Sequence, residues 1–297
     1  MKTDRIEWPT IVLLLSCYLA WGLSTTLLAT AFLPLAIIAT AFCVALHSSL
    51  THEVVHGHPI PGRPQLNAAL VFPALPVVIP FRRFRDTHLA HHNDAVLTDP
   101  YDDPETNYMV PSVWVQLPLW VRAVLNANNT LAGRLIIGPM VSYAAFVRDD
   151  LRLIRAGEPG VLTAWGLHIF ALLPVVWWLA KISTMPVWAY GLAVYVGHAI
   201  LKIRTFLEHQ AHERASGRSV IIEDRGPLAW MFLNNNLHVV HHMHPKVPWY
   251  RLPRLYRDNA AHYRRRNGGY VYRSYAEVFR LHFLRRKDPV PHPLHPG

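Results

Sequence analysis

Eight histidines fall into three short clusters. His52 and His56 stand four apart in Thr51-His-Glu-Val-Val-His-Gly-His58, His88, His91 and His92 read HLAHH, and His238, His241 and His242 read HVVHH. On a helix, residues three and four apart share a face and lie within one turn of each other. Each cluster can therefore aim imidazoles at a common point. A lone histidine is ordinarily a hydrogen-bonded polar residue, but three such clusters in one chain point to metal binding. Neutral imidazole without thiolate suits zinc, copper, iron or nickel. Three or four ligands satisfy zinc, so eight clustered histidines exceed one tetrahedral ion and suit two ions of higher coordination. Iron is the choice where the chemistry involves oxygen. Cys17 and Cys43 both lie in apolar runs, which leaves neither a disulfide framework nor a thiolate site.

Metal-bound imidazoles commonly give their second N–H to a carboxylate or carbonyl. Glu53, Asp86, Asp94, Glu208 and Glu213 adjoin the candidate ligands and are available for that task. The acidic run TDPYDDPE (98–105) reads as a loop with turns or supporting contacts rather than a separate metal site. His168 is alone in an apolar run, and His282, His292 and His295 are scattered through the tail; all four are expected to be non-ligands.

The elements that must carry these clusters are set by hydropathy. The chain has 297 residues, 52% hydrophobic and 16% charged, with the apolar residues gathered in long blocks. Blocks at about 11–30, 33–50, 161–180 and 184–203 each approach the ~20 residues that cross a hydrocarbon core. The links at Ala31-Phe32 and 181–183 are so short that the spans must pair as two hairpins. The expected fold is an all-α integral membrane protein, a single domain over 1–297, with four transmembrane helices in two hairpins. A helical cap formed by 51–160 and 204–297 carries the clusters. Of 29 Lys and Arg, only Lys181 falls in a hairpin tip, and by the positive-inside rule the opposite face, holding both termini and the cap, is cytoplasmic. A multi-pass protein of a bacterial inner membrane is the expected setting. The net charge of +10 follows the membrane flanks without any nucleic-acid motif and is read as a lipid-facing surface.

Lys2 and Arg5 before an apolar stretch ending in Ala29-Thr30-Ala31 imitate a signal peptide, but the stretch exceeds the roughly 7–15 residues of a signal core and is expected to remain as a span. The six-proline segment 59–80 should lie at the interface or re-enter briefly. Residues 112–147, where Trp, Leu and Val alternate with Arg122, Asn126, Asn128 and Arg134, suit amphipathic helices on the membrane surface. The basic tail from Tyr263 is equally consistent with surface association and with simple solubility.

THEVVHGH, RDTHLAHHNDAVLTDPYDDPE and NNNLHVVHHMHP together resemble the three histidine boxes of the membrane fatty acid desaturase family. The resemblance covers about Leu33 to Pro248, including box order and spacing. It implies two non-haem iron ions held by His52, His56, His88, His91, His92, His238, His241 and His242. It also implies a ninth ligand upstream of the third box, which falls on His209, with His212 as its competitor and His198 expected in a structural hydrogen bond. If the second span runs on past the lipid to deliver His52 and His56, the fourth can do the same for His209. Some family members bind a water-bridged asparagine one turn before the ninth ligand; Thr205 stands there in this chain.

The implied activity is O2-dependent oxidation of an unactivated C–H bond in an acyl-lipid or fatty acyl substrate. Desaturation is the first reading, favoured by Asn235-Asn236 ahead of His238, and hydroxylation or ketolation of a lipid or carotenoid is the second. Electrons would come from a separate ferredoxin, rubredoxin or cytochrome b5-like partner. His295-Pro-Gly297 resembles a fragment of a cytochrome b5 haem motif, and no fused electron-transfer domain is expected. A metal transporter is the rival from another class, but it would place its ligands near the bilayer midplane in broken helices, whereas these clusters flank the spans. Reporter fusions at Gly57, Gly157 and Gly217 are expected to score cytoplasmic and one at Ser183 periplasmic; a box region scored outside would reject the arrangement.

Overall fold

The computed structural model describes residues 5–295, so Lys2 and Pro296-Gly297 lie outside it. It is 63% helical with few strands. Seven helices are labelled: α1 (Trp8–Ala31), α2 (Leu33–Val55), α3 (Phe81–His91), α4 (Gly138–Arg155), α5 (Val161–Lys181), α6 (Val187–Thr205) and α7 (His238–Met243). Among the described residues three helices, α1, α2 and α5, are long and apolar enough to cross a membrane. The fourth expected span forms the 19-residue helix α6, which ends in Lys202 and Arg204. The chain divides into two compact units, Met1–Arg85 with Pro139–Leu201, and Asp86–Gly138 with Lys202–Gly297.

In the first unit, α1 and α2 form a tight hairpin through Phe32. Polar groups are paired along its length: Cys17 Sγ donates to the Cys43 carbonyl at 3.4 Å, and the Ser24 and Thr40 hydroxyls meet at 2.9 Å. A π-turn at Ser24–Leu28 breaks the regular ladder of α1, and the backbone amides of Thr184 and Met185 and the Ser183 hydroxyl all donate to the Thr25 carbonyl. The loop after α5 thereby supplies partners that an apolar surround would not. Large apolar side chains such as Leu19, Leu27, Phe170, Trp177 and Trp188 point outward. An exposed belt of this kind suits contact with lipid.

Helix α2 continues past the apolar block to Val55, with His52 in its last turn and His56 at its cap. It ends in a Schellman motif: Gly57 N–H donates to the Val54 carbonyl and His58 N–H to the Glu53 carbonyl. The motif requires a left-handed residue, and Gly57 takes it at φ 96°. Beyond the cap, His58 Nδ1 lies 2.7 Å from Glu7 Oε1, and the Asn67 amide binds the Gly57 carbonyl and both backbone groups of Ile60. The proline-rich segment thus folds as turns around a short helix, Pro64–Leu70. At the start of α3, Arg83 makes a two-pronged ion pair with buried Asp150 of α4 at 2.8–3.1 Å, and Trp165 Nε1 of α5 donates to the same carboxylate.

In the second unit the amphipathic stretch forms helices Pro111–Gln116, Leu119–Asn128 and Leu131–Ile136. Helix α7 rests on a core of Ile221, Leu237, Val239, Val240, Leu252, Tyr256 and Tyr263, beside a small parallel pairing of β1 (Ile221–Ile222) with β2 (Val271–Tyr272). The fourth expected span does not deliver His209 as a helical extension. Helix α6 stops at Thr205, and His209 is held on an extended bridge to Ser219.

In the first unit, the close approach of α6 to α2 depends on Gly197, where an added Cβ would fall 2.8 Å from the Ala41 carbonyl and 2.7 Å from Val44 Cγ1. Small residues allow such contacts between apolar helices. Gly197→Val should destabilise the detergent-solubilised protein by about 1–3 kcal/mol, as overpacking does, read as a lowered midpoint of thermal unfolding.

Candidate metal centre

Within the second unit, seven histidines sort into two sets. His91, His209, His238 and His242 bring one ring nitrogen each to within 4.8 Å of one another. His209 Nε2 is 2.9 Å from His91 Nε2 and 3.0 Å from His238 Nε2. In the second set, His92 Nε2 is 3.1 Å from His88 Nε2 and 3.2 Å from His241 Nε2. Within the first unit, the His52 and His56 rings meet edge to face at 4.9 Å.

Helical spacing explains the sorting. In HLAHH the i,i+4 pair His88 and His92 joins one set, and His91 joins the other. In HVVHH the i,i+4 pair His238 and His242 joins the set of His91, and His241 joins that of His88. Each three-histidine box gives two imidazoles to one set and one to the other. The stacked His92 and His242 rings, 4.2 Å apart, lie side by side between the sets.

The outward nitrogens fix the tautomers. His91 donates from Nδ1 to Asp103 Oδ1 at 2.7 Å, His88 to Glu105 Oε1 at 3.0 Å and His242 to Asp94 Oδ1 at 3.2 Å. A carboxylate can only accept, so each Nδ1 carries a proton, and in the neutral ring that can bind a metal each Nε2 turns a lone pair inward. For His238 the assignment takes one more step. Arg204 pairs with Glu208 at 3.0 Å, and Asn235 Nδ2 donates to that carboxylate at 3.1 Å. Asn235 Oδ1 is then the acceptor facing His238 Nδ1, at 3.1 Å. Ser219 Oγ stands 3.3 Å from His209 Nδ1.

Burial holds His209 and His238 neutral by pushing their pKa values well below the ordinary histidine range, and His242 is lowered for the same reason against the pull of Asp94. His91 differs: burial again opposes its charge, but the Glu105 and Asp103 carboxylates outweigh it and hold the ring at about 9. Glu105 is itself driven well below the usual carboxylate range by His88 and His91, against the cost of its own burial. His242 Nε2 is buried without a hydrogen-bond partner. In the set of His91, His209, His238 and His242, converging imidazole nitrogens, one of them orphaned and each ring backed by a polar side chain, fit a bound divalent cation in donor type and arrangement.

The other histidines have different work. His212 accepts from the Arg214 amide at 3.0 Å, His198 Nδ1 is 2.8 Å from the Val194 carbonyl and His168 Nε2 is 2.7 Å from the Val77 carbonyl. His282 pairs with the Tyr272 hydroxyl and His292 with the Thr98 hydroxyl. Among the acidic residues expected near ligands, Asp94, Glu208 and Glu53 do adjoin histidines, Glu53 at 3.7 Å from His52. Asp103 and Glu105 are not separable within TDPYDDPE by sequence. The signal that could have marked them is the turn Asp99 initiates by accepting from the Tyr101 and Asp102 amides, which folds the run back toward α3.

The fatty acid desaturase family profile matches residues 26–274, most of the chain. The chain belongs to the fatty acid desaturase family. Beta-carotene ketolases of two Paracoccus strains are each 28% identical to it, over 69% of this chain and 71% of theirs. The sphingolipid delta(4)-desaturase/C4-monooxygenase of Homo sapiens is 29% identical over 85% of this chain and 74% of its own length. Family and relatives mark the protein as an oxidoreductase, and histidine clusters able to bind metal are what this family brings to such chemistry.

Asp103 is buried, and besides His91 it accepts from the Thr98 and Glu105 amides at 2.9 and 3.0 Å. Asp103→Asn should lower metal affinity roughly 10–100-fold, the usual cost of losing an anion behind a ligand histidine. Metal content after dialysis against graded chelator measures it.

Proposed function

We propose that this protein holds two iron ions and uses O2 to oxidise an unactivated C–H bond in a long-chain lipid, with desaturation of an acyl chain as the outcome. The observation that carries this reading is the convergence of four imidazoles, three buried and one half-buried, whose outer nitrogens each face a polar side chain. His91, His209, His238 and His242 would hold one ion. His88, His92 and His241 would hold the other, with His52 and His56 assigned to it by the family's box pattern. Bound iron would supply the reduction of O2. The chain's own residues do the rest: burial keeps His209, His238 and His242 neutral and ready to bind, and Asp103, Glu105, Asp94 and Asn235 fix ring orientation.

The proposed setting is a bacterial inner membrane crossed four times, with α6 as the fourth span, both termini and all three boxes cytoplasmic, and the two units serving one catalytic domain. Electrons would arrive from a separate ferredoxin, rubredoxin or cytochrome b5-like protein. A second reading, ketolation or hydroxylation of a carotenoid or other lipid, is favoured by the two ketolase relatives. The human relative's name joins a desaturase and a monooxygenase in one protein, so the two outcomes are chemically adjacent.

Expression in a host that has a defined fatty acid profile and makes beta-carotene tests both, with mass spectrometry of each lipid pool. A new acyl double bond supports the first reading, an oxygenated carotenoid moves the assignment to the second, and two unchanged pools with iron and reductant present reject both. His209→Ala should lose iron and cut turnover by at least about 100-fold, more than a supporting residue would, while His212→Ala keeps both.

A further inference from the structure

We infer that a cationic cleft in the second unit, separate from the metal ligands, binds the anionic headgroup of a membrane lipid. The cleft has a volume of about 470 Å³ and lies between helix Leu119–Asn128 and the segment 286–291. Its walls include Trp114, Leu119, Arg122, Asn126, Arg286 and Pro291.

Three features define its ligand. The first is charge. Arg122 donates from Nε to the Leu117 carbonyl at 3.1 Å, and Arg286 donates to Asn126 Oδ1 at 2.8 Å. Each guanidinium group thus has one neutral acceptor, and among the described residues neither has a carboxylate partner. Two guanidinium groups without carboxylate partners on one cleft suit a phosphate or carboxylate, with N–H donors left over for it. The second is the rim. Leu119, which lines the cleft, is 76% exposed, and near the lining residues in the chain Trp120 is 71% and Leu284 77% exposed. Large apolar side chains beside arginines are the composition of a surface at the headgroup level of a membrane. A site for a soluble anion would have no use for that rim. The third is rigidity. The Ala132 amide donates to the Phe283 carbonyl, Lys287 to Asn129, and Met109 pairs with both Val290 and His292, so the walls are set before a ligand arrives.

The cleft shares no lining residue with the histidine sets, and the inference does not depend on which lipid is oxidised. It would hold the second unit against the bilayer by a bound lipid as well as by its apolar side chains. A headgroup site of this kind should matter energetically, since each basic residue near an anionic lipid surface contributes a few-fold in affinity.

The test uses the full chain in mild detergent, titrated with phosphatidylglycerol, phosphatidylcholine or sodium phosphate, with the thermal unfolding midpoint as readout. Phosphatidylglycerol should stabilise the wild type at lower concentration than phosphatidylcholine does, and sodium phosphate should not. Arg122→Gln/Arg286→Gln should weaken the phosphatidylglycerol effect roughly 30-fold in midpoint concentration, with metal content unchanged. Arg122→Lys/Arg286→Lys should retain most of it, which separates charge from loss of fold. An unaltered phosphatidylglycerol response in the Gln pair, or equal stabilisation by sodium phosphate alone, would overturn the inference.

Discussion

Imidazole lone pairs facing each other at about 3 Å in a buried pocket are the constraint on which the rest of this protein depends. Without a cation the arrangement is costly, because buried acceptors meet acceptors and each lacks the partner that water would provide. The carboxylates behind the rings deepen the demand: by holding the Nδ1 protons, Asp94, Asp103 and Glu105 prevent the histidines from turning N–H groups toward one another. A divalent ion would satisfy the lone pairs and the surrounding negative charge together, which is why metal binding and the shape of the pocket are one problem.

Much of the surrounding structure serves to deliver rings to that point at fixed angles. The three-histidine boxes work because neighbouring helix positions diverge by about a quarter turn or more, so His91 and His92 part company, as do His241 and His242. The supports differ in kind. Helix α7 is set by apolar packing against Leu252, Tyr256 and Tyr263, and α3 begins at the Arg83–Asp150 pair. His209 has no helix beneath it, and its place depends on the bridge to Ser219 and on contacts with the chain's last residues, where Lys287 binds its backbone carbonyl.

Legibility tracks the range of each interaction. The histidine clusters and the apolar blocks are local patterns with a helical period, and the helices Leu33–Val55 and His238–Met243 stand where those patterns place them. His209 can be singled out through family resemblance, but the chain does not arrive there on a helix running past Thr205. An isolated extended bridge between His209 and Ser219 has no periodic signature. The same holds for Asp103 and Glu105: their partners are 12 and 17 residues away, and only the fold of the loop selects these two from a run of acids. The π-turn of α1 is equally invisible in sequence, since what stabilises it is the loop after α5.

The relatives bear on where product choice resides. Ketolases and a desaturase/monooxygenase lie at nearly the same identity to this chain, so similarity at this level does not separate the outcomes. Oxidation of a C–H bond is the step such outcomes share; the product is then decided by whether a second hydrogen or an oxygen donor stands nearer the oxidised carbon. That is a matter of how the hydrocarbon is held, to fractions of an ångström, and geometry of that kind governs rate as well as product. Under the proposed function the histidines would set the reaction class, and the apolar residues that position the substrate would set the product. Substitutions that change product without changing metal content belong to the second group.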